Sequence, residues 1–292
     1  YYLCIPMQEE DWSNIISSRS SFSFDSLKDV WHYRDLLWMF VKRDIVTNYK
    51  QTILGPLWFF IQPILTTLTY FIIFNNIANI QTGTIPATLF YLSGIAMWNY
   101  FSECLTKTST TFKDNANIFG KVYFPRLILP LSIVVSNLLK FFIQFGLFLA
   151  VLFFYLFFRE TSIHITLYIL LFPVLIAIMA ALGLGLGMII TSLTTKYKDL
   201  TFLVQFGVQL LMYATPVIYP LSLTEGGKHP WLHYLIKANP MTSVIETFRK
   251  GFLGEGSFSW NYILVSILIT LMVLLAGFYI FSKTEKSFTD TV

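Results

Sequence analysis

Six stretches of this chain stay apolar for as long as a lipid bilayer is thick, and nothing else in it limits the fold so strongly. A helix crosses the hydrocarbon core with about 20 mostly apolar residues, because every backbone polar group there must be bonded within the segment. The stretches are residues 57–78, 87–105, 127–158, 163–193, 200–219 and 260–282. The second is the weakest, since Glu103 interrupts it. The third and fourth exceed what a bilayer requires, so they tilt or project beyond it. Pro63, Pro130, Pro173 and Pro216 fall within or at the ends of these segments, where membrane helices tolerate proline. Of all residues, 55% are hydrophobic and 12% charged, against about 25% charged in a soluble domain. The expectation is an all-α polytopic membrane protein with six spans. Trp58, Trp98 and Trp260 sit near segment ends, as aromatic belts do.

Lysine and arginine set the orientation. Arg19, Lys28, Arg34, Lys42, Arg43 and Lys50 precede the first segment, and Lys107, Lys113, Lys121 and Arg126 lie between the second and third. Lys196 and Lys198 follow the fourth, and Lys283 and Lys286 follow the sixth. On the other side stand Arg159, Lys228, Lys237, Arg249 and Lys250, four of them in one long loop where the rule is weak. Both termini are therefore expected in the cytosol. Residues 1–26 are polar and carry no apolar h-region, so no cleavable signal peptide is expected.

Several chemistries are excluded. A net charge of +4 is too small to suggest nucleic acid. Cys4 and Cys104 both fall on the cytosolic side, which argues against a structural disulfide. His32, His164, His229 and His233 lack metal-ligand spacing. No Gly-x-x-x-x-Gly-Lys-Ser/Thr loop, carboxylate pair or Ser/His/Asp set occurs, so neither catalytic residues nor a metal site is expected. Gly183-Leu-Gly-Leu-Gly187 follows no strand and lies in apolar surroundings; small residues two and four apart are read as helix packing.

Four regions remain as functional candidates. The run from Asn115 to Arg126 is a short basic loop between two apolar segments, suited to touching a partner in water. Residues 35–50 read as an amphipathic helix with Leu37, Trp38, Val41, Ile45 and Tyr49 on one face and Lys42, Arg43 and Lys50 on another. It is either a plain anchor or a gate that meets a phosphorylated lipid. The long loop 220–259 holds two apolar runs, 231–236 and 244–253, too short to span; they form an outer lid or a surface cap. Two polar stripes, Trp58, Gln62, Thr66 and Thr69, and Phe202, Gln205, Gln209, Tyr213 and Pro216, interleave aromatics with amides and hydroxyls. They line a path for sugars or pack helices, a homodimer seam included. Ser136, Asn137, Lys140 and Gln144 form a further stripe, and a lysine inside a span is a functional hypothesis by default.

The run from Tyr33 to Trp58, Lys121-Val-Tyr-Phe-Pro-Arg-Leu127, Thr215-Pro-Val-Ile-Tyr-Pro220, Asn239-Pro-Met241 and the tail from Phe281 to Asp290 resemble polysaccharide-exporting ABC-2 permeases. The likeness covers nearly the whole chain after residue 27 and is greatest to O-antigen (lipopolysaccharide) export permeases; capsule and teichoic-acid export permeases are near relatives. The resemblance implies an ABC-2 (type V exporter-like) fold in the bacterial inner membrane. It implies a homodimer with two separate ATPase subunits that hold ATP and Mg, so this chain would be no enzyme itself. It implies export of an undecaprenyl-diphosphate-linked glycan. By the same resemblance Asn115, Asn117, Lys121, Tyr123, Arg126, Glu285 and Asp290 couple to the ATPase. Pro216, Tyr219, Trp231 and Phe248 belong to a periplasmic gate, and Lys42, Arg43 and Lys50 lie at the lipid diphosphate. The organisation expected is a cytosolic extension (1–34), an interface helix (35–56), a six-helix domain (57–282) with coupling loop 106–126 and gate region 220–259, and a tail (283–292). Competing classes are an exporter of drugs or small lipids and a membrane-bound glycan-modifying transferase, the latter lacking convergent acids or a base.

Overall fold

The computed structural model describes residues 30–50, 53–119, 124–159, 163–195, 197, 199–225 and 230–288. Among them there is no strand. The principal helices are α1 (Arg34–Tyr49), α2 (Trp58–Tyr70), α3 (Ala87–Ser109), α4 (Ile128–Phe158), α5 (Phe172–Thr194), α6 (Leu200–Tyr213), α7 (Pro230–Ala238), α8 (Pro240–Leu253) and α9 (Trp260–Phe288). A 3-10 turn, Gly55–Leu57, leads into α2, and a π-helical stretch, Phe71–Ile77, continues it. A second 3-10 turn, Leu167–Leu171, leads into α5.

Among the described residues, four stretches are long and apolar enough to cross a bilayer: Gly55–Ile77, Ile128–Phe158, Leu167–Thr194 and Trp260–Thr284. They leave large apolar side chains exposed, among them Ile72 on the first, Phe157 on the second and Leu268 on the last. Water would penalise such surfaces and lipid does not. The other two expected spans differ from these. Helix α3 has the expected place and length, yet Glu103 and Lys107 keep its hydropathy down. It is the most enclosed of the long helices: Leu89, Tyr91, Met97, Phe101 and Cys104 are fully buried, and it packs on α2, α4, α5 and α6. Low hydropathy suits a helix that meets protein on most sides and lipid on few.

The fifth expected segment, 200–219, is corrected by the structure. Its helix stops at Tyr213, after 14 residues or about 21 Å of rise. Residues 214–219 continue as turns and bends in which Thr215, Pro216, Val217 and Ile218 are buried. Pro216 has no amide hydrogen and disfavours helical geometry in the residue before it, which favours a break here, whereas α2 runs through Pro63.

The glycine run of α5 packs on two sides. A Cβ on Gly187 would stand 2.5 Å from Cβ of Thr108, and one on Gly183 would stand 2.8 Å from Cβ of Cys104, both in α3. Gly185 points the other way, where its added Cβ would lie 2.9 Å from the backbone of Leu274. Across that seam Gly277 of α9 comes equally close, its added Cβ falling 2.5 Å from the carbonyl oxygen of Gly185. The spacing of four gives one seam and the residue between gives the other, so α5 is clamped between α3 and α9.

The bundle has two ends. One, the loop end, gathers α1, the start of α2 and the turns after α3. The opposite cap end is closed by α7 and α8. Helix α8 starts at an Asn-Pro pair: the Asn239 side chain accepts from the Met241 amide at 3.0 Å and Pro240 occupies the first helical position. It stops at Gly254, whose φ of +81° suits the left-handed cap. Phe145, Phe148, Phe172, Phe248 and Phe252 join α8 to α4 and α5 in one aromatic cluster.

Candidate functional site

At the loop end the chain leaves α3 through two single helical turns, Thr111–Asp114 and Ala116–Phe119. They are pinned from both sides. The Phe112 amide donates to Thr191 Oγ1 at 3.3 Å, and Thr194 Oγ1 donates to the Ser109 carbonyl at 3.0 Å. The Phe112 ring stacks on Phe281 of α9 at 4.8 Å. Asn115, between the turns, is buried; its amide nitrogen donates to the Thr111 carbonyl at 3.0 Å. Its Oδ1 accepts from Arg43 of α1 at 3.4 Å. Arg43 also pairs with Asp44 at 2.9 Å and lies 4.7 Å over the Phe40 ring. Phe40 in turn packs with Phe124, Ile128 and Leu129. Helix α1 and the loop are therefore one packed unit.

Other loop-end candidates fall differently. Lys42 and Lys50 are exposed, and Lys42 borders a shallow groove with Trp38, Val41, Ile45 and Val46. Asn117 is exposed and Arg126 half-buried. Lys121, Tyr123 and Asp290 lie outside the described residues, and Glu285 falls in the last turns of α9. The buried strip of α1 shares Leu37 and Val41 with the apolar face expected from its sequence but is turned toward Phe40. Phe40 and Val41 are buried while Trp38 is 60% exposed. The reason is that α1 has two apolar faces, and the one carrying Phe40 meets α4 and Phe124.

The two polar stripes lie on α2 and α6, on either side of α3. Trp58, Gln62 and Thr69 of α2 are exposed, as are Phe202, Gln205, Gln209 and Tyr213 of α6. Thr66 is half-buried. Thr66 and Thr69 donate to carbonyls four residues back in their own helix, at 2.9 and 2.8 Å, so the amides are the groups in these stripes that call for outside partners. Tyr70 OH approaches Met212 Sδ at 3.7 Å and ties the two helices together.

The stripe on α4 points inward. Ser136, Asn137, Lys140 and Gln144 are all buried. Lys140 Nζ pairs with Glu103 Oε2 of α3 at 3.1 Å, and Lys107 Nζ reaches the same oxygen at 2.8 Å. Lys107 also donates to Asn137 Oδ1 at 3.3 Å, and Asn99 donates to Gln144 Oε1 at 3.4 Å.

At the cap end the sequence signal was missed. Arg249 of α8 is 1% exposed. It donates to the carbonyls of Pro216 at 2.7 Å, Val217 at 2.9 Å and Phe90 at 3.3 Å, and its guanidinium lies 3.6 Å over the Phe90 ring. Glu246, one turn earlier, faces it at 3.4 Å and accepts from the Ser257 amide at 2.9 Å. Burial pushes the guanidinium pKa down to about 10, Glu246 opposing that shift, so it stays cationic at neutral pH. This knot bonds the carbonyls that the broken end of α6 leaves without helical partners. The available clue was Glu and Arg three apart inside an apolar run, the spacing of one helix face. Pro216 is buried within the knot, and Tyr219 donates to the Tyr213 carbonyl at 3.0 Å. Trp231 is 62% exposed, while Phe248 belongs to the aromatic core. His229 lies outside the described residues. His233 meets Thr224 Oγ1 at 2.6 Å, and no metal-holding group of His, Cys, Asp or Glu occurs among the described residues.

Long apolar helices around a buried polar-marked helix, closed by a packed basic loop unit at one end and a capped break at the other, define a multi-pass membrane protein. Residues 35–253 match the ABC-2 type transporter family, and the chain belongs to it. It is a homologue of O-antigen export permeases. The O-antigen export system permease protein RfbA of Klebsiella pneumoniae is 28% identical over 256 residues, covering 88% of this chain and 94% of that protein. The protein of the same name from Myxococcus xanthus is 27% identical over 266 residues, 91% and 98% of the two chains.

Proposed function

We propose that this chain is the membrane subunit of an ATP-driven exporter that carries undecaprenyl-diphosphate-linked polysaccharide, of the O-antigen class, across the bacterial inner membrane. Two copies would enclose the path between them, and two ATPase subunits holding ATP and Mg would drive it. The observation that carries this reading is the pair of exposed polar stripes on α2 and α6. Gln62, Gln205 and Gln209 stand exposed on membrane helices beside Trp58, Phe202 and Tyr213, where lipid offers amides no partner. Aromatic faces and amides together suit sugar rings, which present C–H faces and hydroxyl rims. The names of the relatives support the same cargo.

In this reading α3 and α6 are the remaining crossings of a six-helix domain. The shortness of α6 is compatible with that, because the irregular stretch after it is buried and Arg249 caps its carbonyls. Both termini face the cytosol, so the loop end rests on the ATPase through Asn115, Asn117, Lys121, Tyr123 and Arg126, with Glu285 and Asp290 nearby. The exposed Lys42 and Lys50 meet the lipid headgroup, and Pro216, Tyr219, Trp231 and Phe248 belong to the outer gate region. Cysteines at Gln62 and Gln209 test the path. Copper-catalysed crosslinking in membranes should give a dimer, and a bulky thiol reagent at either position should block surface polysaccharide. Normal export from the modified variants would refute the α2–α6 path.

A further inference from the structure

The half of α3 nearest the loop end leaves one face open, and that face is polar throughout. Asn99, Ser102, Glu103, Thr106, Lys107 and Thr110 are its half-buried positions, three or four apart, while Phe101, Cys104, Leu105 and Thr108 between them are buried. Ser102, Thr106 and Thr110 satisfy their hydroxyls on carbonyls of their own helix. Asn99 donates to Gln144 Oε1, so the charges are left to define what this face holds.

Those charges do not balance. Lys107 and Lys140 share the single carboxylate of Glu103, at 2.8 and 3.1 Å, so among the described residues two ammonium groups meet one carboxylate. Side-chain exposure is 41% at Lys107, 32% at Glu103 and 9% at Lys140, so the excess charge is largely enclosed and open on one side. Lys140 Nζ lies 5.7 Å from the Phe59 ring at the start of α2, next to the Trp58–Gln62 face. A net charge at such depth is stabilised by an opposite charge brought to it, and an ammonium pair is a suitable point-charge cradle for phosphate oxygens.

We propose that this open polar face of α3, where Lys140 of α4 meets it, is a binding site for the phosphoryl group of an anionic ligand, held by Lys107 and Lys140 and limited by Glu103. The inference rests on the export reading only for its preferred ligand, the lipid-linked diphosphate at the mouth of the path. The recognition chemistry is the same for an anionic phospholipid or a free diphosphate.

The test uses the full chain in phosphatidylcholine nanodiscs without ATPase, titrated with polyprenyl diphosphate, phosphatidylglycerol or inorganic pyrophosphate and read by native mass spectrometry. Lys107→Gln and Lys140→Gln should each weaken binding about tenfold or more, and the surface control Lys283→Gln, exposed on α9, less than about twofold. Glu103→Gln should tighten binding severalfold, an effect that a purely structural ion pair does not produce and that does not depend on the lysine variants folding. The probe that shows this pattern names the source of the phosphoryl group. Affinities indifferent to these substitutions for all three probes, or weakened by Glu103→Gln, would overturn the site. Binding with this pattern but no polysaccharide export by the complete transporter would overturn the export reading alone.

Discussion

Arg249 shows how one side chain makes an irregular backbone tolerable. Three carbonyls from two separate segments converge on it, and Glu246 is 5% exposed beside it. Arg249→Leu removes the donor to these carbonyls and leaves the Glu246 carboxylate without its cation, and removing one partner of a buried pair destabilises by about 3–5 kcal/mol. The expected result is a marked drop in the thermal unfolding midpoint of the detergent-solubilised chain, with Arg249→Lys recovering part of it. Gly94 borders the same knot: a Cβ there would stand 2.7 Å from the Val217 carbonyl and 2.8 Å from Arg249 Nη2. Gly94→Ala should therefore destabilise by about 1–3 kcal/mol, as overpacking does. An unchanged midpoint for both variants would mean that the knot holds nothing. From sequence, Arg249 counted only as one more loop charge, because its carbonyl partners lie 32 to 159 positions away.

Elements in this bundle owe their positions to small residues and to one shared loop. Gly187→Leu and Gly277→Leu should each push α5 from a neighbour, α3 in the first case and α9 in the second. Both are expected to lower the yield of folded protein, seen as a loss of the monodisperse peak in size-exclusion chromatography. The sequence reading of this run as packing was correct, since four-residue spacing and apolar surroundings are local facts. Which helix met which glycine was not legible, because a stripe does not name its partner. Helix α1 teaches the same lesson in reverse. Its existence and bounds followed from residues 35–50, but its buried face depends on Phe124, more than 80 positions along. Phe40→Ala should loosen α1 from the loop without touching any charge, and protease sensitivity of α1 in membranes should rise.

For the whole molecule, the loop unit is the place where an external force would enter. Phe112 is stacked on α9, its turn is bonded to α5, and Asn115 is bonded to α1, so displacement of the loop is shared by three helices. In the proposed transporter, Lys121→Glu or Arg126→Glu should abolish polysaccharide export while leaving membrane insertion intact. ATPase copurification should fall together with export. Normal export from both variants would remove the loop from the coupling path.

Periodicity and hydropathy by themselves determined the class of this protein, the bounds of most helices and the loop that stands apart from them. These follow from interactions between neighbours in sequence and between a segment and its solvent. Tertiary structure alone decided that the weakest span is the innermost helix, that Lys140 is shared with Lys107 on one carboxylate, and that α6 breaks where an arginine from a distant helix caps it. Hydropathy records how much a segment meets lipid, so it is faintest for the helix that meets lipid least. A buried charge is tolerable only through partners that folding brings from elsewhere in the chain.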